Sequence, residues 1–339
     1  MVPFDKSVKR AWRIGLRAGD VARFVANVFI VVGSAGPILW LGSAYLRDHH
    51  TTLLAIAGGV TTSGLAIALA VIRIRTRRKQ TMIDKAWSTL RAAEDEFYRK
   101  AHELLNLRLS GKRMPQKKLG ELKSIHRDYL RQICVSATEI FSAMKGPKIA
   151  FEANIKRIDL MAESDSGRLL PHYRPLVRSY ADFTRIRYDD WLERNPIPIG
   201  HNAAYRQMIP SDPVSRGYYV PKKDHFACGD VAEFITELEA RGEQFVEPNR
   251  VVTGQFYRSF LVVPICGRTE AASPGWLKVD GLVVPALICI DTRKAHVFDG
   301  QGSISLTVDL RVMHQLAGDA FKTFETLGII LKGERVEYA

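Results

Sequence analysis

The stretch YRSFLVVPICGRTEAASPGWLKVDGLVVPALICID (257–291) decides the reading of the fold. Two apolar runs rich in β-branched residues, Tyr257 to Ile265 and Leu282 to Asp291, flank the polar connector Gly267 to Asp280. Each run has strand length and too little for a stable helix, so the pair reads as a hairpin. Working outward, Ala150 to Leu160 and Leu169 to Tyr173 read as further strands. Helices are expected near Asn202 to Met208, Val231 to Arg241 and Ser303 to Leu327. This order predicts an α+β fold, a mixed or antiparallel sheet flanked by helices, with the long C-terminal helix on one face.

Composition narrows the class. The 339 residues include 49 Lys plus Arg against 36 Asp plus Glu (net +13), 46% hydrophobic residues and four cysteines. Such a chain is neither disordered, nor collagen-like, nor stapled by disulfides. The charge is uneven: residues up to Lys148 hold 26 basic and 11 acidic side chains, the remainder 23 and 25. A nucleic-acid-binding domain carries its cations on its own folded face. The near-neutral C-terminal part therefore argues against a nucleic acid polymer as partner.

The basic excess brackets two apolar stretches, 25–46 and 53–72, neither containing Asp, Glu, Lys or Arg. About 20 helical residues cross a hydrocarbon core of about 30 Å, so the two read as a transmembrane hairpin over 25–72 in contact with membrane lipid. Lys6, Lys9, Arg10, Arg13, Arg17 and Arg23 precede it, and Arg73, Arg75, Arg77, Arg78 and Lys79 follow it. Cationic flanks stay inside, which predicts a multi-pass inner-membrane protein with both termini cytoplasmic. Ala55, Gly59 and Ser63 fall four apart, spacing that suits close helix packing in lipid; a pore lined by Thr61, Thr62 and Ser63 is the sharper alternative. Residues 1–24 form a basic amphipathic segment, fit to lie on an anionic leaflet or to act only as a topogenic flank.

Residues 73–116 read as a basic helical connector. Ile83, Trp87, Leu90, Phe97, Ala101 and Leu104 follow a 4-3 spacing interrupted by Glu94, a coiled-coil-like stripe that either self-associates or packs on the next helix. Gly111 and Pro115 break it. A second amphipathic helix follows from about Lys117 to Met144, with Leu119, Leu122, Tyr129, Ile133, Ile140 and Phe141 on its apolar face.

Residues 257–328 resemble the distal half of a GAF domain: a Y-x-S-x-L-V-V-P-I strand, a variable loop, a G-x-L-x-I-D-like strand, an acidic-aromatic turn and a closing helix. FEANIKRID (151–159) is similar to that family's first strand, and IPIGHNAAYRQMI (197–209) to its mid-domain glycine turn and helix. The resemblance spans 117–330, leaving 331–339 as a tail. It implies a small-ligand sensor and dimerisation module, hence a homo-oligomer, and no catalysis. Of the constellation in cyclic-nucleotide-binding members, Asn249, Phe256 and Asp291 are present but the Asp-Glu pair is not. The Cys-His order of bilin-binding members is missing at Cys228.

A pocket on such a sheet needs a few convergent polar groups on apolar walls. Tyr218, Tyr219, Lys222, Asp224, His225, Phe226, Tyr257 and Arg258 supply candidates: cations to pair with phosphate, rings to stack on a base. The competing reading makes them surface-loop residues and ordinary core aromatics. No Walker loop, nucleophile elbow or zinc-ligand pair accompanies them, so no enzyme or metal centre is expected, and the residues name no cofactor. Asp48, His49 and His50 supply too few ligands from one loop. The combined expectation is a membrane-anchored sensor of a small molecule or nucleotide that signals to its membrane helices. Its bolder form is a membrane-disrupting effector of the antiphage kind. The alternative is a ligand-free GAF-like scaffold that dimerises and docks a partner.

Overall fold

A computed structural model describes residues 50–110, 114–162, 167–179, 183–209, 224–243, 257–270, 276–279, 282–299 and 304–331; the side chains of 50–63, 65, 183–188, 279 and 304 lie outside that set. The chain divides into two compact units, 1–82 and 83–339. In chain order the elements are α1 (His50–Leu109), α2 (Gln116–Lys145), β1 (Phe151–Ala162), β2 (Leu169–Arg178), α3 (Phe183–Arg194), β3 (Ile197–Pro198), two 3₁₀ turns (Ile199–His201 and Tyr205–Gln207), β4 (Phe226–Cys228), α4 (Val231–Ala240), β5 (Ser259–Gly267), β6 (Leu277–Val279), β7 (Leu282–Thr292) and α5 (Ile304–Leu331).

The membrane reading is corrected here. Among the described residues no helix is long and apolar enough to cross a membrane, and a multi-pass inner-membrane placement is not supported. The span expected over 53–72 is no separate rod but part of the 60-residue α1, which runs on through Arg73, Arg75, Arg77, Arg78 and Lys79. Ala55, Gly59 and Ser63 lie on α1, but their side chains are outside the described residues. The basic segment 1–24 and the first expected span, 25–46, are outside them altogether.

Within 83–339 the connector stripe is buried in the protein's own core. Ile83, Leu90, Phe97, Ala101 and Leu104 are at most 5% exposed. Phe97, Ala101 and Leu104 pack with Leu119 and Leu122 of α2 and Leu327 and Ile330 of α5. Each large side chain so buried contributes about 1.5–3 kcal/mol. Polar contacts fix the register of the three helices: His126 Nε2 meets Thr323 Oγ1 at 3.0 Å, Ser136 Oγ donates to the Ala86 carbonyl, and Arg108 donates to the last carbonyls of α5 at Ile329 and Ile330.

The sheet has the order β3-β2-β1-β7-β5-β4, with β6 added to β7, every pair antiparallel, and it curls into a half-barrel. The expected hairpin exists: β5 pairs with β7 from Ser259↔Thr292 to Gly267↔Val283. The connector contributes a strand that was not expected, β6, whose Val279 pairs with Leu282 across the two-residue sequence Asp280–Gly281. β1 and β2 slip register at Ile155/Lys156, opposite Val177 and Pro175. Pro175 has no N–H to donate, so a bulge there costs the ladder least. α2 and α5 cover one face of the sheet. Gly267 permits the close approach of α5, since a Cβ there would lie 2.3 Å from the Phe321 ring.

Candidate functional site

The opposite face of the sheet is covered by α3, α4 and the 3₁₀ turns. Ladder register sets one row across four strands: Asn154 (β1), Cys289 (β7), Val262 (β5) and Phe226 (β4). One step along β1 and β7 from Asn154 and Cys289, Lys156 pairs with Leu287. Ile158, Tyr173, Tyr205, Phe226, Phe260, Leu287 and Cys289 are buried together on this face.

Lys156 is the anomaly of that layer, a lysine only 8% exposed among apolar walls. Its Nζ donates to Tyr205 Oη at 2.7 Å and lies 5.0 and 5.1 Å from the ring centroids of Tyr173 and Tyr205. The two rings meet edge-on at 84°, forming a cage open to the cation. Tyr205 is positioned by Asn202, whose side-chain oxygen accepts from the backbone N–H groups of Ala204 and Tyr205. Cys289 Sγ lies 3.6 Å from Tyr205 Oη; burial pushes its thiol up, against the pull of the neighbouring Lys156 charge. Asn154 Oδ1 is buried and has no hydrogen-bond partner among the described residues. Among those residues no carboxylate lies within 4 Å of the Lys156 ammonium. An ammonium has three donors and carries a large desolvation cost, so an anion is the chemical complement of this cage.

Sequence reasoning passed over Lys156 and Asn154. FEANIKRID reads as an alternating strand, and a lysine in such a strand is assigned to solvent. The usable signal was coverage: a central strand of a sheet with helical elements on both faces has no solvent side.

The expected ligand residues divide into four groups. Tyr218, Tyr219 and Lys222 lie outside the described residues, as do Asn249 and Phe256. Phe226 and Tyr257 are core aromatics: Phe226 packs on Phe234 and Phe260 at 5.2 and 5.7 Å, and Tyr257 meets Phe260 edge-on at 5.4 Å. Arg258 joins a network beyond the C-terminal end of β4. It pairs with Asp230, which is 4% exposed and whose other oxygen accepts from Ala232 N, capping α4. His296, at a left-handed φ of 59°, contacts Asp299 in the same network.

Asp224 and His225 stand at the other end of β4, so the structure does not bring them together with Arg258. Their neighbour is a residue that sequence spacing could not reveal, His314 of α5. His225 Nδ1 contacts Asp224 Oδ1 at 2.7 Å and His314 Nε2 contacts Asp224 Oδ2 at 3.4 Å. The three residues offer ligand atoms all within 4.8 Å of one another, and could hold a metal ion. Burial opposes ionisation of Asp224, but the His225 hydrogen bond and the charges of both histidines outweigh it and hold the carboxyl below its usual range. Burial lowers the His314 imidazole, partly offset by Asp224.

All four cysteines are free thiols. Cys228, beside the Arg258 network, is pushed up to about 12 by burial, reinforced by the charges of Asp230 and Asp299. That makes it an inert thiol rather than a nucleophile or attachment point.

Comparison with family models, with curated proteins and with solved structures gives no match.

Proposed function

We propose that the sheet-and-helix unit is a sensor of a small anionic ligand, GAF-like in plan, with Lys156 as the ligand's electrostatic anchor. The observation that carries this reading is a buried ammonium held by tyrosine rings with no carboxylate in reach among the described residues. Support for the GAF-like plan comes from the element order: an opening helix, α2; a first strand, β1, carrying FEANIKRID; the 3₁₀ turns over 199–207; the β5 and β7 pair; and the closing helix α5. A carboxylate or phosphate would complete the cage. Nucleotides enter the test as one class of anion, with Tyr173 and Tyr205 as the available rings. β1 carries Lys156 on the ligand face and Ile155 toward α2 and α5, which gives a bound anion a mechanical route to the helical layer.

The test is thermal unfolding of the full chain against a panel of anionic metabolites, nucleotides included. A ligand at about 100 times its Kd stabilises the native state by about 2.7 kcal/mol. At roughly 2–4 °C per kcal/mol for a large domain, that is a rise in Tm of about 5–10 °C. Lys156→Met, which keeps the aliphatic stem, should abolish the rise while the unliganded protein stays folded. A flat response across the panel, or a rise that Lys156→Met retains, would favour the ligand-free dimerisation scaffold.

A further inference from the structure

We propose that Asp224, His225 and His314 form a zinc site that clips the lead-in of β4 to α5. Asp224 and His225 are adjacent just before β4, whereas His314 lies ninety positions later in α5. The fold therefore brings two imidazoles to the two oxygens of one carboxylate, Nδ1 at Oδ1 and Nε2 at Oδ2. Two neutral imidazoles and a carboxylate form a borderline donor set of the kind that Zn(II) takes, with three protein ligands and a fourth position open to water.

The distances fit. Tetrahedral bonds of about 2.0–2.2 Å put neighbouring ligand atoms about 3.3–3.6 Å apart. His314 Nε2 and Asp224 Oδ2 already stand at 3.4 Å. His225 Nδ1 contacts the other oxygen, Oδ1, at 2.7 Å, and the three donor atoms lie within 4.8 Å of one another, so bringing both imidazoles onto one oxygen takes a torsional adjustment of a carboxylate whose side chain is 73% exposed. That exposure also gives the ion an entry path and leaves room for a water ligand. The competing account is a carboxylate that merely accepts hydrogen bonds from two histidines. It shares the contacts but predicts no affinity for metal.

The ion would act where the sheet is thinnest. β4 is a three-residue edge strand, and a bond from its approach to α5 ties that edge to the helix packed beneath β5. This clip lies on different residues from the Lys156 cage, so the two proposals stand or fall separately.

The experiment is a competition titration of chelator-stripped full-length protein with Zn(II) against a chromophoric chelator, followed by Co(II) substitution. Because His49 and His50 offer a second adjacent pair, the same titration is run on His49→Ala/His50→Ala. One tight equivalent is expected in both proteins, with the intense visible bands of four-coordinate Co(II). His314→Gln and Asp224→Asn should each weaken binding at least tenfold and remove those bands, while their metal-free Tm stays at the wild-type value. Absence of a tight equivalent in the wild-type chain, or an equivalent that survives both His314→Gln and Asp224→Asn, overturns the site.

Discussion

Replacing Lys145 by Met should destabilise the protein in a way that depends on pH. Lys145 ends α2 and its Nζ lies 2.5 Å from Asp309 Oδ2 in the second turn of α5; the two side chains are 14% and 1% exposed. Burial raises the Asp309 carboxyl to about 6 in spite of the neighbouring ammonium. A carboxyl raised from its ordinary value of 3.8 binds its proton more tightly when folded. Its contribution is thus most favourable at low pH and declines as pH climbs from about 4 through about 6. A shift of about two units corresponds to about 3 kcal/mol across that window. Without Lys145 the buried carboxyl keeps its proton to higher pH, and at pH 7.5, about 1.5 units above the wild-type value, that adds a loss of about 2 kcal/mol. At pH 4.5 the acid is protonated in the folded state. The loss then falls to the other Lys145 contacts, the 2.8 Å hydrogen bond to Ser305 and the Phe298 ring, together about 1 kcal/mol. Urea unfolding of wild type and Lys145→Met at pH 4.5 and 7.5 measures both differences. Equal losses at the two pH values would refute the claim that Asp309, without its ammonium partner, causes the added loss.

Two further perturbations test the core. Gly267→Ala forces a methyl into the Phe321 ring and should cost about 1–3 kcal/mol, read by urea unfolding, with part of the loss recovered in the Phe321→Leu background. His126, enclosed by Phe97 and Phe324, is lowered to about 3 by burial and stays neutral when folded. Its lowered value makes the stabilisation complete above about pH 6.5 and lost as pH falls, at about 1.4 kcal/mol per unit between about 6 and 3. His126→Gln should remove that slope from the stability profile. An unchanged slope between pH 6 and 4 would show that His126 is not its source.

The parts of the fold that were legible are those whose residues signal locally. Tyr257 to Ile265 and Leu282 to Asp291 are mostly apolar and rich in β-branched residues, and the structure places strands at Ser259–Gly267 and Leu282–Thr292. α2, α4 and α5 carried helical periodicity and punctuation. α3 was missed because FTRIRYDDWLER has almost no apolar stripe. It is held by Leu192 in the core and by the bidentate Arg178–Asp189 pair at 2.9 and 3.0 Å, a contact with β2 that no window on the helix can see. The membrane hairpin failed for the converse reason. Hydropathy over 53–72 is a local sum, and it does not register that the same helix continues as the buried core stripe Ile83 to Leu104. Of the candidate site, sequence located Asp224 and His225 but not His314, because ninety residues of intervening chain carry no trace of the contact. Lys156 was visible as a residue and invisible as a problem until both faces of β1 were known to be covered.

The described sheet stops abruptly at both margins. On one side lies β3, two residues long and ending in Pro198; on the other lies β4, three residues long and leading through Gly229 into the cap of α4. Each rim strand covers only part of the strand inside it, two positions of β2 and three of β5, and the proline at the first rim has no hydrogen to lend. β1 and β7 sit in the middle, paired on both sides, where a stranger's backbone has nothing to grip.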